Sequence, residues 1–561
     1  MAADVPSLFL PGRNCYRAAR ALRAALLVDG EAYFRAFAHA ALRATQSIVL
    51  VAWDFHSQAR LHLNDPEVPD LLGDFLTFLV QRNRRLRVFI LAWDYPLVFG
   101  RGREPPAGTD GGWQPHRRIQ FQYDSSCPLG AAHHQKIVVI DGEVAFCGGI
   151  DLTLGRWDTQ LHDSADPRRT NVGGTEPYNP VHDVMLAVDS GAARALQSVA
   201  SERWRQATGR ALPTAYADGD PWPASLVATF SNMDVALART VPAGTHLPAI
   251  TEVETLYLDL IAAARRYIYI ENQYFTSKVL GDALAARLAE AEGPEVVVVL
   301  RLGSSGWLEA PTMSALRTIL IRKLRDADVH GRFHAWYPDT PGGPGCDVHS
   351  KLMIVDDEWL RVGSANFANR SMGLDTECDL VLEARGEASA RMAIASVRNT
   401  LLSEHLGVAR TDIQNAFSVT GSLGATIASL STDDGRSLRP FEHLDEPSPA
   451  IVALANGVVD PGRPLSMEEL IAGFDPVSAT TPTTASGLPP TRRKVPSRLA
   501  GQLDNLLGGT ALGILFGTLV ATLFARQLAV GSRTVLDTAW LLMATFGAIA
   551  ACRWVMRRRR P

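Results

Sequence analysis

Cysteine is scarce and unpatterned in this 561-residue chain: Cys15, Cys127, Cys147, Cys346, Cys378 and Cys552 show no C-x-x-C spacing. They resemble neither a disulfide framework nor a zinc site, and reduced thiols in a cytoplasmic setting are the expectation. The N-terminal stretch MAADVPSLFLPGRN has only a three-residue apolar run before Pro11 and Gly12. That is too short for a signal-peptide core, so export by a Sec signal is not expected. Positive charge is also missing where nucleic acid would need it. From Thr491 onward eleven Arg/Lys face Asp504 and Asp537, a balance of +9, which leaves residues 1–490 at −13 within an overall charge of −4. A net-acidic body suits non-specific DNA or RNA binding poorly, because such binding rests on phosphate neutralisation.

With 47% hydrophobic and 20% charged residues, the chain has the composition of a folded protein. Its length suggests about three to four units. Two halves repeat. Each opens with an Ala/Arg-rich, helix-like segment running into an apolar strand, ALRATQSIVLVAWDF at 41–55 and IAAARRYIYIENQYF at 261–275. Strand-like runs such as RVFILAW and EVVVVLRLG alternate with helix-like ones, which predicts α/β units on a mostly parallel sheet. The fold class expected is therefore α/β, with two duplicated lobes at 1–210 and 211–410 about a pseudo-two-fold axis. Residues 411–475 read as a poorly packed extension whose helix-like patch is SMEELIAGF, and 476–498 as a Pro/Thr/Ser-rich linker.

Each half carries the spacing H-x-K-x-x-x-x-D, in HHQKIVVIDGEVAFCGGID (133–151) and HSKLMIVDDEWLRVGSAN (349–366). On a strand His134 and Lys136 project from one face, as do His349 and Lys351. Aligning the copies pairs Asp141 with Asp356, Gly148 with Gly363, Gly149 with Ser364 and Asp151 with Asn366. A duplicated fold then delivers two imidazoles and two ammonium groups to one pocket. Lysines hold the non-bridging oxygens of a phosphodiester, one neutral imidazole attacks phosphorus, and the other protonates the departing alkoxide. Histidine's pKa of about 6.5 permits both roles near neutral pH. No metal or other cofactor is required, and no carboxylate cluster is arranged for one. The near symmetry of the copies leaves open which histidine attacks.

These two motifs, extended to GGIDLTLGRWDT and NRSMGLDTE and joined by VHDV and IENQYF, resemble the phospholipase D superfamily over roughly residues 10–410. The linking words are similar to its phospholipid-hydrolysing branch, here a bacterial type with C-terminal membrane spans. The resemblance implies a duplicated α/β sandwich, a phosphohistidine intermediate, hydrolysis of phosphatidylcholine-like lipids to phosphatidate, and transphosphatidylation when an alcohol replaces water. Residue by residue, it implies His134 as nucleophile, His349 as general acid, and Lys136 and Lys351 as phosphate-holding lysines. Gly149, Ser364 and Asn366 would lie beside the phosphate, and Asp183 and Glu377 would orient the histidines. Asp141, Asp356 and Asp151 are motif members with structural roles. His133 is expected to pack, Gln273 is a weaker candidate for substrate contact, and His162, His182 and His334 read as structural or surface residues. Cardiolipin synthesis, a nuclease and a non-catalytic membrane scaffold are the competing readings.

Within 499–561, LLGGTALGILFGTLVATLFA (506–525) is 20 residues without a charge, long enough to span a bilayer. TVLDTAWLLMATFGAIAAC (534–552) is a second candidate span, weakened by Asp537. Arg492, Arg493, Lys494 and Arg498 precede the pair and Arg557–Arg560 follow it, which puts both ends, and the catalytic lobes, on the cytoplasmic side of the inner membrane. Gly509, Gly513 and Gly517 form overlapping G-x-x-x-G steps suited to a homodimer. The partners expected are thus a phospholipid substrate, the bilayer and a second copy, with no nucleic acid.

Overall fold

The computed structural model describes residues 6–464, apart from 95–103, 129, 172–176, 214–218, 245–247, 304–308, 340–342, 344, 443 and 445. The linker, both apolar spans, the glycines Gly509, Gly513 and Gly517, and the SMEELIAGF patch lie outside the described residues. Among the described residues no helix is long and apolar enough to cross a membrane.

The first half runs β1 (Arg17–Val28), α1 (Asp29–Leu42), β2 (Ser47–Ala52), α2 (Leu72–Arg82), β3 (Arg87–Trp93), β4 (Ile119–Asp124), β5 (Ile137–Ile140), β6 (Val144–Gly148), β7 (Val181–His182), β8 (Val184–Asp189) and α3 (Ser190–Thr208). The second half follows the same plan. It runs β9 (Phe230–Val241), β10 (Ile250–Thr251), α4 (Glu252–Ala263), β11 (Tyr267–Asn272), α5 (Lys278–Leu288), β12 (Glu295–Leu300), α6 (Glu309–Ala327) and β13 (Phe333–Asp339). It closes with β14 (Asp347–Val348), β15 (Lys351–Val355), β16 (Trp359–Gly363), α7 (Asn369–Gly373), β17 (Glu377–Glu383) and α8 (Ala388–Leu406).

The two halves share one sheet, ordered β18-β13-β12-β11-β15-β16-β17-β9-β1-β8-β6-β5-β2-β3-β4, in which β18 is Ser437–Pro440. Read outward from the central β1·β9 pair, the two arms match strand for strand as far as β13 and β4, and β18 extends one arm without a counterpart in the other. The mostly parallel sheet expected from the sequence is corrected: β2·β3·β4 and β11·β12·β13 are parallel, and the motif-bearing middle of each arm is antiparallel. The physical reason is local. Glu143 N donates to Ile140 O at 3.0 Å and Glu358 N to Val355 O at 2.8 Å, with positive φ at Asp141 (54°), Gly142 (71°), Asp356 (56°) and Asp357 (58°). Left-handed backbone at both central positions is the I′ turn, whose twist matches a hairpin.

Both faces of the sheet are covered. Ile48 and Leu50 of β2 enter a core with α1 and α2, while Val49 and Val51 enter a second core. That second core is common to the halves, joining Leu196 and Trp204 of α3 to Leu352, Ile394 and Leu401. Two-sided burial is why these strands read as unbroken apolar runs rather than alternating ones. The extension beyond 410 is packed, against expectation. Ile413, Leu423, Ile427 and Leu438 are buried in the shared core, and β18 pairs with β13. Asp460 accepts from Thr276 Oγ1 at 2.6 Å and from Arg370 N at 2.8 Å, tying the extension to α7. Ile413, Leu423 and Ile427 lie on two short helices, α9 (Arg410–Thr420) and α10 (Leu423–Leu430).

Candidate active site

Each motif histidine sits just before its strand and is stitched to the opposite half of the chain. His134 N donates to Thr376 O at 3.1 Å, and the next residue is Glu377. His349 N donates to His182 O at 2.8 Å, and the next residue is Asp183. β14 and β7 form the small parallel ladder that carries the second contact. The side chains repeat the exchange. His134 Nδ1–H donates to both Glu377 oxygens at 3.0 Å, and His349 Nδ1–H to Asp183 Oδ2 at 2.7 Å. In each case the carboxylate fixes the tautomer that leaves Nε2 for chemistry.

Both ammonium groups are buried beside their own histidines. Lys136 Nζ donates to His134 O at 3.0 Å and lies 3.1 Å from Asp151 Oδ2. Lys351 Nζ donates to Gln273 Oε1 at 3.1 Å and to His349 O. Gln273 is thereby placed on a motif lysine.

Burial pushes His134 well below its ordinary pKa, helped by the charges of Lys136 and then Lys351. Burial likewise pushes His349 well down, with Lys351, Arg156, Lys136 and Arg301 adding to it. Each ring feels the lysine of the other motif, which brings the four residues into one electrostatic field. Burial also lowers Lys351 to about 7 and raises Asp183 to about 7, the latter opposed by Lys351.

The remaining sequence candidates divide between contacts to the two carboxylates and contacts elsewhere in the fold. Ser364 Oγ donates to Glu377 Oε2 at 2.5 Å and Ser371 Oγ to Glu377 Oε1 at 2.7 Å. Asn366 is buried, and its Oδ1 has no hydrogen-bond partner. Gly149 lies against Asp183: a Cβ there would stand 2.1 Å from Asp183 Oδ1. Asp141 accepts from Thr45, Gln46 and Ser47 backbone N–H groups at 2.7, 2.8 and 2.8 Å. Asp356 accepts from those of Arg265, Arg266 and Tyr267 at 2.6, 2.8 and 2.8 Å, so both motif aspartates tie down the start of the neighbouring strand. Asp151, the third motif member expected to be structural, is the carboxylate that faces Lys136, with its Oδ2 3.1 Å from Lys136 Nζ. His133 is buried, 3.1 Å from Asp124 Oδ1, and His334 lies 3.3 Å from Glu295 Oε1.

Sequence reasoning passed over Arg156 and Arg301. Arg156 follows Gly155 in the quoted GRWDT word, and its Nε is buried without a hydrogen-bond partner. Its charge bears on His349, Asp183 and Lys351. Arg301 pairs with Asp347 at 3.0 Å, next to β14's start. An arginine beside a motif word was the available signal.

Residues 118–281 match the family model for phospholipase D, and residues 257–395 that for a cardiolipin synthase, PLD-like domain. These two matched stretches support domains of the phospholipase D superfamily within residues 118–395 of the chain. It is 26% identical over 457 residues to phospholipase D A of Dictyostelium discoideum, covering 68% of this chain and 35% of that one. To phospholipase D beta 2 of Arabidopsis thaliana it is 24% identical over 566 residues, covering 72% and 59%. The chain thus spans between about one third and three fifths of the length of these relatives. Among solved structures, phosphatidylserine synthase of Haemophilus influenzae Rd KW20 aligns with a TM-score of 0.47 at 14% identity, covering 68% of this chain and 88% of that one.

Proposed function

We propose that the protein is a membrane-anchored phospholipase D, which cleaves the distal phosphodiester of glycerophospholipids to phosphatidate through a phosphohistidine. The reading is carried by the crossed pairing of His134 with Glu377 and His349 with Asp183, each beside a buried lysine. Neutral His134, its Nδ1–H held by Glu377, attacks phosphorus through Nε2. A bound phosphodiester anion offsets the field of Lys351, Arg156, Lys136 and Arg301, so His349 takes up a proton at Nε2. That proton passes to the head-group alkoxide as its bond to phosphorus breaks. His349 then takes a proton from water, the oxygen bonds to phosphorus, and the phosphorus–nitrogen bond breaks. An alcohol in place of water gives the transphosphatidylation product. Lys136, Lys351 and Arg156 hold the charge on the non-bridging oxygens.

The apolar stretches at 506–525 and 534–552 supply the anchor in this reading, with the lobes facing the cytoplasm. The test is phosphatidate release from phosphatidylcholine and phosphatidylethanolamine vesicles, with 1-butanol added in a parallel reaction. Wild type releases phosphatidate and forms phosphatidylbutanol, and His134→Asn does neither. Equal product from both proteins refutes the site. A second reading is favoured by the cardiolipin synthase-type match over residues 257–395. Cardiolipin formed from phosphatidylglycerol, with phosphatidylcholine untouched, decides for it.

A further inference from the structure

Behind the Asp183–His349 pair lies a buried cluster that the phosphodiester chemistry does not use. Asp29, His162, His182 and Glu404 converge from the two halves of the chain, with one donor atom of each within 4.8 Å of all the others. His162 Nε2 is 3.0 Å from Glu404 Oε1 and 3.6 Å from Asp29 Oδ2. His182 Nδ1 is 2.6 Å from Glu404 Oε1 and 3.2 Å from Asp29 Oδ1. The outer nitrogens are already committed: His162 Nδ1 lies 2.9 Å from Asp158 Oδ2 and His182 Nε2 lies 2.8 Å from Glu271 Oε2.

With those outer nitrogens donating, both inner nitrogens present lone pairs to two carboxylates. Such a facing is repulsive unless positive charge lies between. Either two protons or one dication balances it. Two oxygens distinguish these cases. Asp29 Oδ2 and Glu404 Oε2 are buried with no hydrogen-bond partner, in residues 1% and 7% exposed. Protons on the imidazoles leave these oxygens orphaned, at a cost on the order of 1–3 kcal/mol each. A dication takes them as ligands. Glu271, by contrast, is saturated. It accepts from Tyr269 Oη at 2.6 Å and Ser350 Oγ at 3.0 Å, and pairs with His405 Nε2 at 3.0 Å besides His182.

We propose that Asp29, His162, His182 and Glu404 bind a structural zinc ion, with Asp158 and Glu271 as the carboxylates that orient its two histidines. Two imidazole nitrogens and two carboxylate oxygens make a donor set for zinc rather than for magnesium or calcium, which take oxygen ligands and water. Zinc bonds of about 2.0–2.2 Å place tetrahedral ligand atoms about 3.4 Å apart, and one donor atom from each of the four residues lies within 4.8 Å of the rest, close enough for small side-chain adjustments to close on one ion. Histidines held from behind by carboxylates are the arrangement that fixes ring orientation in metal sites. The Cys346 thiol lies beside His162 but outside the donor set. The ion fastens β7 in place, because Asp29 N donates to Asp183 O at 2.8 Å and Asp183 N to Asp29 Oδ1 at 3.2 Å. It therefore steadies the carboxylate that orients His349 without touching substrate.

The proposal stands apart from the catalytic reading, and its test reads metal rather than turnover. Full-length protein from zinc-supplemented cells is analysed by elemental mass spectrometry and by thermal melting. About one zinc per chain is expected in wild type and in His134→Asn, and none in His162→Gln. Dipicolinate treatment of wild type is expected to lower Tm by about 5 °C or more, restored by zinc and not by magnesium. This chelation arm needs no variant to fold. Wild type without zinc, whose Tm neither chelator nor added zinc moves, overturns the proposal and leaves two imidazolium–carboxylate pairs. So does zinc that is lost in His134→Asn, since that places it in the catalytic pocket.

Discussion

The two motif copies share a backbone plan and differ in what surrounds each histidine. The first ring, His134, has 14% of its side chain exposed, against 7% for His349. Its carboxylate, Glu377, is held by two serine hydroxyls, whereas Asp183 takes the backbone N–H of Val184 at 2.8 Å. The aligned position beside each carboxylate differs accordingly, Ser364 in one copy and Gly149 in the other. Aspartate is one methylene shorter than glutamate, so the backbone must come closer to it and no Cβ fits. Lys136 faces Asp151, while Lys351 has the neutral Gln273 as its side-chain acceptor and shares the field of Arg156. The first copy is the more open and neutralised, as suits a nucleophile. The second is the more enclosed and cationic, as suits an acid that charges when an anion arrives.

Exchanging leaving groups tests that division most severely. His134→Asn and His349→Asn are each expected to lower turnover of phosphatidylcholine by about a thousandfold or more. A p-nitrophenyl phosphodiester, whose phenolate departs without a proton, separates them. His349→Asn is expected to release a burst of p-nitrophenol and accumulate phosphohistidine at position 134, readable by mass spectrometry. His134→Asn should give neither. A burst from His134→Asn with none from His349→Asn would reverse the assignment.

The carboxylate pockets can be interchanged next. Gly149→Ser forces Asp183 aside and is expected to lower kcat about a hundredfold in protein that still melts cooperatively, since displacement of an orienting group by about 1 Å costs that much. Ser364→Gly removes one hydroxyl donor from Glu377 and is expected to cost only about threefold to tenfold. Equal effects would mean that the two pockets are equivalent after all.

The motifs were legible because duplication prints the same spacing twice, and Asp183 and Glu377 because they sit in words tied to those motifs. The crossing itself, with each histidine held by a carboxylate from the other half, needs the β1·β9 junction, and that was not readable. β1 (RAARALRAALLV) has the alanine and arginine content of a helix. It is a strand because β8 and β9 pair with it on either side, a tertiary demand that propensity does not carry. The Asp29–His162–His182–Glu404 cluster was invisible for a related reason. Its members come from four distant segments, and no short spacing announces donors that only the sheet brings together.

Lys351 offers the mildest test and the one with a defined sign. Burial lowers its pKa to about 7, so the ammonium predominates below that pH and the neutral amine above it. A phosphodiester anion binds the ammonium form. Substrate affinity is therefore fully present below about pH 7 and declines as pH rises through it, with KM climbing by up to about tenfold per unit beyond pH 8. Bound substrate raises the same pKa, so kcat should hold over a range in which kcat/KM falls. Lys351→Arg keeps its charge throughout and is expected to flatten the alkaline limb of KM, at some loss of kcat because the guanidinium does not reproduce the lysine's contact with Gln273. An alkaline limb that survives in Lys351→Arg would assign the titration to another group and remove the main electrostatic contrast between the two copies.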